Sequence, residues 1–280
     1  MSRFIVTRNN GKALLGTEFH LTPGNTLTLK IDGLNLNTRK HLKFLSDNGL
    51  VSIFQRDNPK MREQTLQITA INIGVSKVKA VDTNIDFCPN FAQGVAEDCF
   101  PHLTINIIPK ISIPADLTTE QRAMLMVLLA ETSSPESKKF KYNEKEAKDT
   151  MQYMHDVLLN RVRSPKSQYL GVPKHGNKLI GLISAPRVIE GFQQYPNIND
   201  DIQGRINRMV IVANDGTQEH FLAYRRLITH AINVAKSNRI SNAEVIAWRT
   251  QDSGSPGPNF IKLFSLQGQE FYKLSDSYLK

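Results

Sequence analysis

The residue with the clearest capacity for chemistry is Glu131, which directly follows the apolar run of residues 123–130. A helix that is apolar on every side is a buried helix, so this run predicts one. A carboxylate in its last turn is disfavoured both by burial and by the negative end of the helix dipole. We therefore expect the Glu131 carboxyl to hold its proton near neutral pH and to act as a general acid. The alternative is a surface glutamate just past the helix end.

Helices and a small group of strands are predicted around this residue. Thr118 and Gln121 have the spacing of a capping box, which marks the start of the helix that carries Glu131. A second helix is expected to begin near Asn143, and apolar residues at helical spacing from 221 to 235 predict a third. A smaller mixed region closes the chain, with residues 245–249 followed by two strand-like runs at residues 260–264 and 270–273. Residues 114–280 are therefore expected to form a mainly helical domain.

The first part of the chain has strand periodicity. Four runs alternate apolar and polar residues with period two, over residues 26–33, 66–73, 75–81 and 103–108. Turn residues such as Pro23-Gly24 and Asp32-Gly33 separate them. This pattern predicts an antiparallel β-sandwich over residues 1–113, similar to the immunoglobulin-like modules that carry or position other domains. The expected fold class is α+β.

Charge and hydropathy limit the partners of the chain. Its 280 residues include 35 Lys and Arg against 26 Asp and Glu, a formal charge of +9 that favours a polyanion. The basic residues are scattered, so we expect no dedicated nucleic-acid arm, and nucleic acid ranks last among the candidate partners. The longest apolar run is far shorter than a membrane span, so no membrane-spanning helix is expected.

The two cysteines and the N-terminus bear on location. Cys88 and Cys99 flank a polar loop that a disulfide would close, which would stabilise the fold by about 2–3 kcal/mol in an oxidising compartment. Two free thiols are the alternative. Because the first ten residues lack the apolar core of a secretory signal, we expect synthesis in the cytoplasm. The predicted disulfide favours action in the periplasm or cell wall. Reaching that location would then require another export route.

Other chemistries are weakly supported by the sequence. The seven histidines are dispersed and two cysteines cannot build a zinc site alone, so no metal or other cofactor is expected. His155 is predicted to be a hydrogen-bonded core histidine. Cys99 with His155 as its base would give a cysteine-dependent amidase or peptidase. Both cysteines, however, lie in the strand-rich part, away from any helix N-terminus that would lower a thiol pKa.

Several motifs of the second half together resemble the spore-cortex-lytic and cell wall hydrolase family. They are the Leu-Leu-Ala-Glu-Thr segment ending at Thr132, the Val-Leu-Leu-Asn-Arg-Val segment of residues 157–162, the 179–183 segment and Glu190-Gly-Phe192. The closing 260–272 region is similar to the final strands of the family. Members have a lysozyme-like helical domain that cleaves the glycan strands of peptidoglycan. The resemblance implies that fold and that substrate for residues 114–280.

The resemblance also assigns roles to residues. Glu131 matches the catalytic acid, and Asn160 with Arg161 matches the Asn-Arg pair that orders the site. Phe192 matches the aromatic residue near the substrate cleft. Arg161 would pair with a carboxylate, either of the peptide stem or of the fold itself, where an internal ion pair would anchor the helix. Tyr195, in the same segment as Phe192, is a candidate for stacking on a sugar, with core packing as the equal alternative.

The second carboxylate of the family pattern is displaced by one position in this chain, where Thr132-Ser-Ser-Pro-Glu136 replaces Ala-Arg-Gly-Glu. Glu136, Glu190 and Asp156 therefore all remain candidates for that role. If one of them lies at the distance typical of carboxylate pairs, water is the nucleophile and the enzyme is a muramidase. Otherwise the muramyl 6-hydroxyl attacks, and the enzyme is a lytic transglycosylase. The sequence leaves this choice open.

The expected biological role follows from these assignments. Peptidoglycan is the expected substrate, and an antibacterial effector of a contractile (type VI) secretion system or a phage lysin is the expected setting. Such a protein would have a secretion-apparatus or phage-tail partner and, as a toxin, a cognate immunity protein. The main alternative is a cell-wall-binding or tail-associated structural protein whose lysozyme-like half is inert.

Overall fold

The computed structural model describes residues 3–7, 13–14, 16–32, 43–58, 63–81, 102–138 and 140–279. The fold is α+β, with a strand-rich first part and a mainly helical second part. Two compact units are present. The strand unit comprises residues 1–111 and 212–221, and the helical unit comprises residues 112–211 and 222–280. The sequence predicts a division after residue 113.

The strand unit contains two sheets. Its strands are β1 (Arg3–Thr7), β2 (Ala13–Leu14), β3 (Glu18–Leu21), β4 (Thr26–Asp32), β5 (Lys43–Ser46), β6 (Val51–Asn58), β7 (Glu63–Ala70), β8 (Gly74–Val81) and β9 (Leu103–Ile107). The first sheet has the order β2-β1-β4-β7-β6 and is antiparallel throughout. The second has the order β3-β9-β8-β5, in which β3 runs parallel to β9 and the other pairs are antiparallel.

Both sheets contribute to one apolar core. Alternate residues of β4, β7, β8 and β9 are buried in it, as period-two alternation predicts. The runs that predicted these four strands are therefore confirmed, with shifted ends. The strand β6 was not predicted because its alternation is broken: Phe54 is 62% exposed where a polar residue would be expected.

The helical unit contains helices and a three-stranded sheet. The helices are α1 (Thr119–Glu131), α2 (Glu144–Arg163), α3 (Lys178–Ile183), α4 (Asp200–Val212), α5 (Phe221–Lys236) and α6 (Asp276–Leu279), with a 3₁₀ turn at Ser167–Leu170. The strands are β10 (Ala247–Thr250), β11 (Phe260–Leu266) and β12 (Gln269–Leu274), in the antiparallel order β10-β12-β11. No helix of the described residues is long and apolar enough to cross a membrane.

The helix starts follow their capping residues. The Thr118 hydroxyl accepts a hydrogen bond from the Gln121 amide at 3.2 Å, and the Gln121 side chain accepts one from the Thr118 amide at 3.1 Å. The predicted capping box is thus confirmed. Asn143 caps α2 in the predicted place, accepting a hydrogen bond from the Glu146 amide. All eight residues of the 123–130 run are buried, as an all-round apolar helix requires.

Candidate active site

Glu131 is the last residue of α1, and the backbone around it is held from two directions. The last carbonyl groups of a helix lack partners within the helix. Arg205 of α4 donates a hydrogen bond from Nη2 to the Ala130 carbonyl at 2.8 Å. Gln269 of β12 donates one from Nε2 to the Glu131 carbonyl at 3.0 Å. These two bonds fix the helix end from which the Glu131 side chain projects.

The Glu131 carboxylate meets the indole of Trp248, the single tryptophan of the chain. Trp248 lies on β10 and donates from Nε1 to Oε2 of Glu131 at 3.5 Å. In the register of β10 and β12, Trp248 pairs with Phe271 and Thr250 pairs with Gln269. Because side chains alternate between the faces of a sheet, Trp248 and Gln269 project from the same face. That face therefore supplies a contact both to the backbone and to the side chain of Glu131.

The electrostatic surroundings of Glu131 favour its protonated form. Burial raises the pKa of this carboxyl and is the strongest influence on it. The Trp248 hydrogen bond and the positive charge of Arg205 lower the pKa, whereas the negative charge of Glu190 raises it. The balance is a pKa above the ordinary value of 4.5. A proton held in this way is available for transfer to a leaving group.

A tight hairpin fixes the sheet against the helix ends. Gln267 and Gly268 join β11 to β12 with φ angles of 44° and 78°, the two positive values that a type I′ turn requires. A Cβ at Gly268 would lie 2.4 Å from the Phe140 ring. The Gln267 side chain bonds to the Lys141 carbonyl and to Glu146, and its carbonyl accepts from the Ser133 hydroxyl at 2.8 Å. The hairpin thus ties the sheet both to the residues that follow Glu131 and to the start of α2.

Asn160 and Arg161 act on the chain that leads into β10. Asn160 donates from Nδ2 to the carbonyls of Asn242 and Val245, at 2.9 and 2.8 Å. Arg161 donates from Nε to the Ile246 carbonyl at 2.6 Å, and burial lowers the pKa of its guanidinium to about 10. Of the two partners expected for Arg161, the one found is a group of the fold, although a carbonyl rather than a carboxylate. These bonds hold the segment that ends, two residues later, at Trp248.

Asp156 is fully buried and holds the start of the same segment. Its Oδ2 accepts hydrogen bonds from the Ser241 hydroxyl and amide and from the Asn242 amide, at 2.6, 3.0 and 2.8 Å. Burial would raise the pKa of Asp156, but the hydrogen bonds from His155, Ser241, Gln152 and Asn242 bring it below the ordinary 3.8. Because these donors occupy the Asp156 carboxylate, its role is to hold the backbone of residues 241–242.

The other two candidates for the second carboxylate differ from each other. Glu136 forms a two-point ion pair with Arg208, at 3.0 and 3.1 Å. Glu190 is exposed, and it lies close enough to Glu131 for its charge to raise the pKa of that carboxyl. Among the three, Glu190 is therefore the carboxylate that the structure brings to the acid while leaving it accessible to solvent.

The two aromatic candidates lie in different surroundings. Phe192 is fully buried, so it serves the packing of the site region and offers no ring to a substrate. Tyr195 is half-buried, and burial raises the pKa of its hydroxyl while the charge of Arg122 lowers it. Arg122 lies in the first turns of α1, whereas Glu131 ends that helix. The charged neighbour of Tyr195 is thus at the opposite end of α1 from the acid.

The remaining candidates concern metals and thiols. His155 is buried and donates from Nε2 to the Ser237 carbonyl at 2.9 Å, which confirms a hydrogen-bonded core histidine. The described part of the chain contains no group of three His, Cys, Asp or Glu side chains placed to hold a metal ion. Cys88 and Cys99 lie outside the described residues, so their disulfide stays a prediction.

Sequence reasoning missed three neighbours of Glu131, namely Trp248, Arg205 and Gln269. Trp248 lies in residues 245–249, to which the sequence assigns no strand, and nothing in that run indicates which residue Trp248 faces. Arg205 lies on α4, a helix that was not predicted because Gly204 interrupts a largely polar sequence. No protein-family model matches the chain, and no curated protein is significantly similar to it in sequence. The resemblance to cell wall hydrolases rests on the motifs alone.

Proposed function

We propose that this chain cleaves the glycan strands of peptidoglycan, with Glu131 as the general acid. The observation that carries the proposal is the Glu131 carboxyl itself, which directly follows the buried run of residues 123–130 and has its pKa raised by burial and by Glu190. The motifs around Glu131, Asn160 and Glu190 resemble those of a peptidoglycan-cleaving family. The helical unit would then be a lysozyme-like domain.

The reaction begins with proton transfer from Glu131 to the oxygen of the glycosidic bond. The bond between that oxygen and the sugar C1 breaks, and positive charge develops on the ring. Glu131 becomes a carboxylate in this step. The Trp248 N–H and the Arg205 charge both stabilise the ionised form, so they favour the release of the proton once a base is present. Trp248 and Arg205 therefore tune the acid.

The fate of the sugar cation depends on a second group, for which Glu190 is the best candidate. As a solvent-exposed carboxylate near Glu131, it is suited to activate a water molecule, which would give a muramidase. Without such a base, the muramyl 6-hydroxyl attacks, Glu131 takes its proton, and the product carries an anhydro end. The presence of Glu190 therefore favours a muramidase over a lytic transglycosylase.

Purified sacculi provide the test. The wild-type chain is expected to clear a sacculus suspension, and Glu131→Gln is expected to be about 10²- to 10⁴-fold slower. Glu120→Gln makes the same change in the first turn of the same helix and should behave as wild type. Mass spectrometry of the products separates reducing ends from anhydro ends. Free peptides would indicate an amidase, and equal behaviour of wild type and Glu131→Gln would indicate an inert wall-binding protein.

For the strand unit we propose an immunoglobulin-like sandwich that carries or positions the helical unit. The support is its pair of sheets, whose buried residues form a single core. In an antibacterial effector or a lysin, this unit would be the part that binds the delivery apparatus. A chain of residues 112–280, which lacks the strand unit except for residues 212–221, supports this division of labour if it still clears sacculi in solution but loses delivery.

A further inference from the structure

A second site candidate lies on the helical unit, in a cleft of about 380 Å³ between α2 and α5. Lys148 of α2 lines one side. The opposite side is formed by polar residues of α5, namely Arg225, Arg226, Thr229, His230 and Asn233. These positions recur at three- and four-residue intervals, so they occupy one face of α5. The core-facing residues Leu227, Ile228, Ala231 and Val234 are buried on the other face.

The cleft carries an excess of positive charge that is held in a fixed arrangement. Glu144 bonds to the Lys148 ammonium through one oxygen and to the Arg226 guanidinium through the other, at 2.7 Å each. The hydrogen bond from Lys148, with that from Arg226, lowers the pKa of Glu144, so this carboxyl is ionised at neutral pH. The cleft is thus lined by three cations, Lys148, Arg225 and Arg226, and Glu144 bridges two of them. The neighbouring Asp149, whose charge also reaches His230, pairs with Lys145. Oxyanions are the ligands that such a set of charges binds.

Neutral polar groups stand among the cations. The His230 Nε2 lies 3.2 Å from the Lys148 carbonyl, and because a carbonyl only accepts, this nitrogen carries a proton. Burial lowers the pKa of His230, so its Nδ1 is an acceptor at neutral pH. The Thr229 hydroxyl and the Asn233 amide add both donors and acceptors. Acceptors of this kind bind the hydroxyl groups of sugars, which a purely cationic patch does not.

We propose that this cleft is an accessory site for an acidic saccharide, binding a carboxylate or phosphate group and the neighbouring hydroxyls of a cell-wall polymer. The choice of a wall polymer rests on the proposed function, whereas the oxyanion chemistry follows from the cleft alone. Among the described residues that line it there is no Phe, Tyr or Trp, the residues on which single-stranded nucleic acid stacks. The site would hold the chain on its substrate between cleavage events.

The test measures binding of full-length chains to sacculi in a Glu131→Gln background, which removes cleavage. Arg226→Gln is expected to weaken binding about 10- to 100-fold, because a charge-assisted hydrogen bond is lost. Asn233→Ala should also weaken it, although the charge of the chain is unchanged. Arg239→Gln removes one charge from an exposed position outside the cleft and is the matched control. If Arg226→Gln and Arg239→Gln weaken binding equally and Asn233→Ala has no effect, the proposal is wrong.

Soluble probes identify the group that is bound. Calorimetry with oligogalacturonate tests a carboxylate-bearing saccharide, and calorimetry with a glycerol phosphate oligomer tests a phosphate-bearing one. Binding of either probe, lost in Arg226→Gln, supports the site and names its chemistry. Binding of a DNA oligonucleotide but of neither probe would overturn it. Because these measurements need no turnover, a wild-type chain that leaves sacculi intact would contradict the catalytic function only.

Discussion

The indole Nε1 of Trp248 donates a hydrogen bond to the carboxylate of Glu131 across 3.5 Å, joining residues 117 positions apart. One partner ends a buried helix and the other lies on a strand near the end of the chain. Because a donor stabilises the ionised form of a carboxyl, this contact opposes the effect of burial on the pKa of Glu131. The pKa of Glu131 thus depends on two opposing influences, burial and the Trp248 hydrogen bond, which can be separated experimentally.

Trp248 makes the ionisation of Glu131 directly observable. Since the chain has one tryptophan, its fluorescence reports on this site alone. We expect the emission to titrate with a midpoint above 4.5, the ordinary pKa of a glutamate, and the titration to vanish in Glu131→Gln. Glu120→Gln should leave the curve unchanged. A midpoint at or below 4.5 would show that burial is not the strongest influence on the pKa of Glu131.

Replacing Trp248 by Phe removes the donor and keeps a ring. The pKa of Glu131 should then rise further, because the ionised form loses a stabilising contact. A general acid works while protonated, so the alkaline limb of the pH profile of kcat/KM is expected to move to higher pH. The profile is measured by release of soluble fragments from labelled sacculi. A limb that stays in place or moves to lower pH would contradict the role of this hydrogen bond.

Glu190→Gln has two separable consequences. Loss of its negative charge should lower the pKa of Glu131 and move the alkaline limb to lower pH, opposite in direction to Trp248→Phe. If Glu190 also activates water, the rate at the optimum should fall about 10²- to 10⁴-fold. Glu244→Gln, at another exposed position of the helical unit, serves as the control. A shifted limb with an unchanged maximal rate would leave Glu190 an electrostatic role and remove the catalytic one.

Asn160 is expected to act through Trp248. Asn160→Ala leaves the Asn242 and Val245 carbonyls without their donor, which should lower the free energy of unfolding by about 1–3 kcal/mol. The Trp248 emission should also move to longer wavelength as the strand that carries it loosens. Arg163→Ala, at the exposed end of the same helix, should change neither quantity appreciably. Loss of stability with unchanged emission would assign Asn160 to the fold alone.

Asp156 should make the helical unit sensitive to acid. Its folded pKa lies below the ordinary 3.8, so its contribution to stability is complete above that pH and is lost as the pH falls through the folded value. Asp156→Asn should lower the free energy of unfolding at pH 7 by about 3 kcal/mol and flatten its decline below pH 4. Urea unfolding at pH 7, 4 and 3 measures both effects. The exposed Asp116→Asn is the control, and equal slopes for both variants would argue against this role.

The local framework of the site can be predicted from the order of its amino acids. An all-round apolar run bounded by a capping box specifies a buried helix from Thr119 to Glu131, because burial and capping are properties of neighbouring residues. The same holds for the alternating strands of the first unit and for the N-cap of α2 at Asn143. The sequence therefore predicts Glu131 in the last turn of a helix with a buried core, and the structure has it there.

The surroundings of that carboxyl, in contrast, depend on contacts between residues that are distant in the chain. Periodicity tells which face of an element is buried, but not which distant residue meets it. Hence Trp248, Arg205 and Gln269 could not be assigned to Glu131, and the polar side chains of Asp156, Asn160 and Arg161 could not be recognised as anchors for the backbone of residues 241–246. The raised pKa of Glu131 is the net result of those contacts, because burial, a donor and two charges all act on one group.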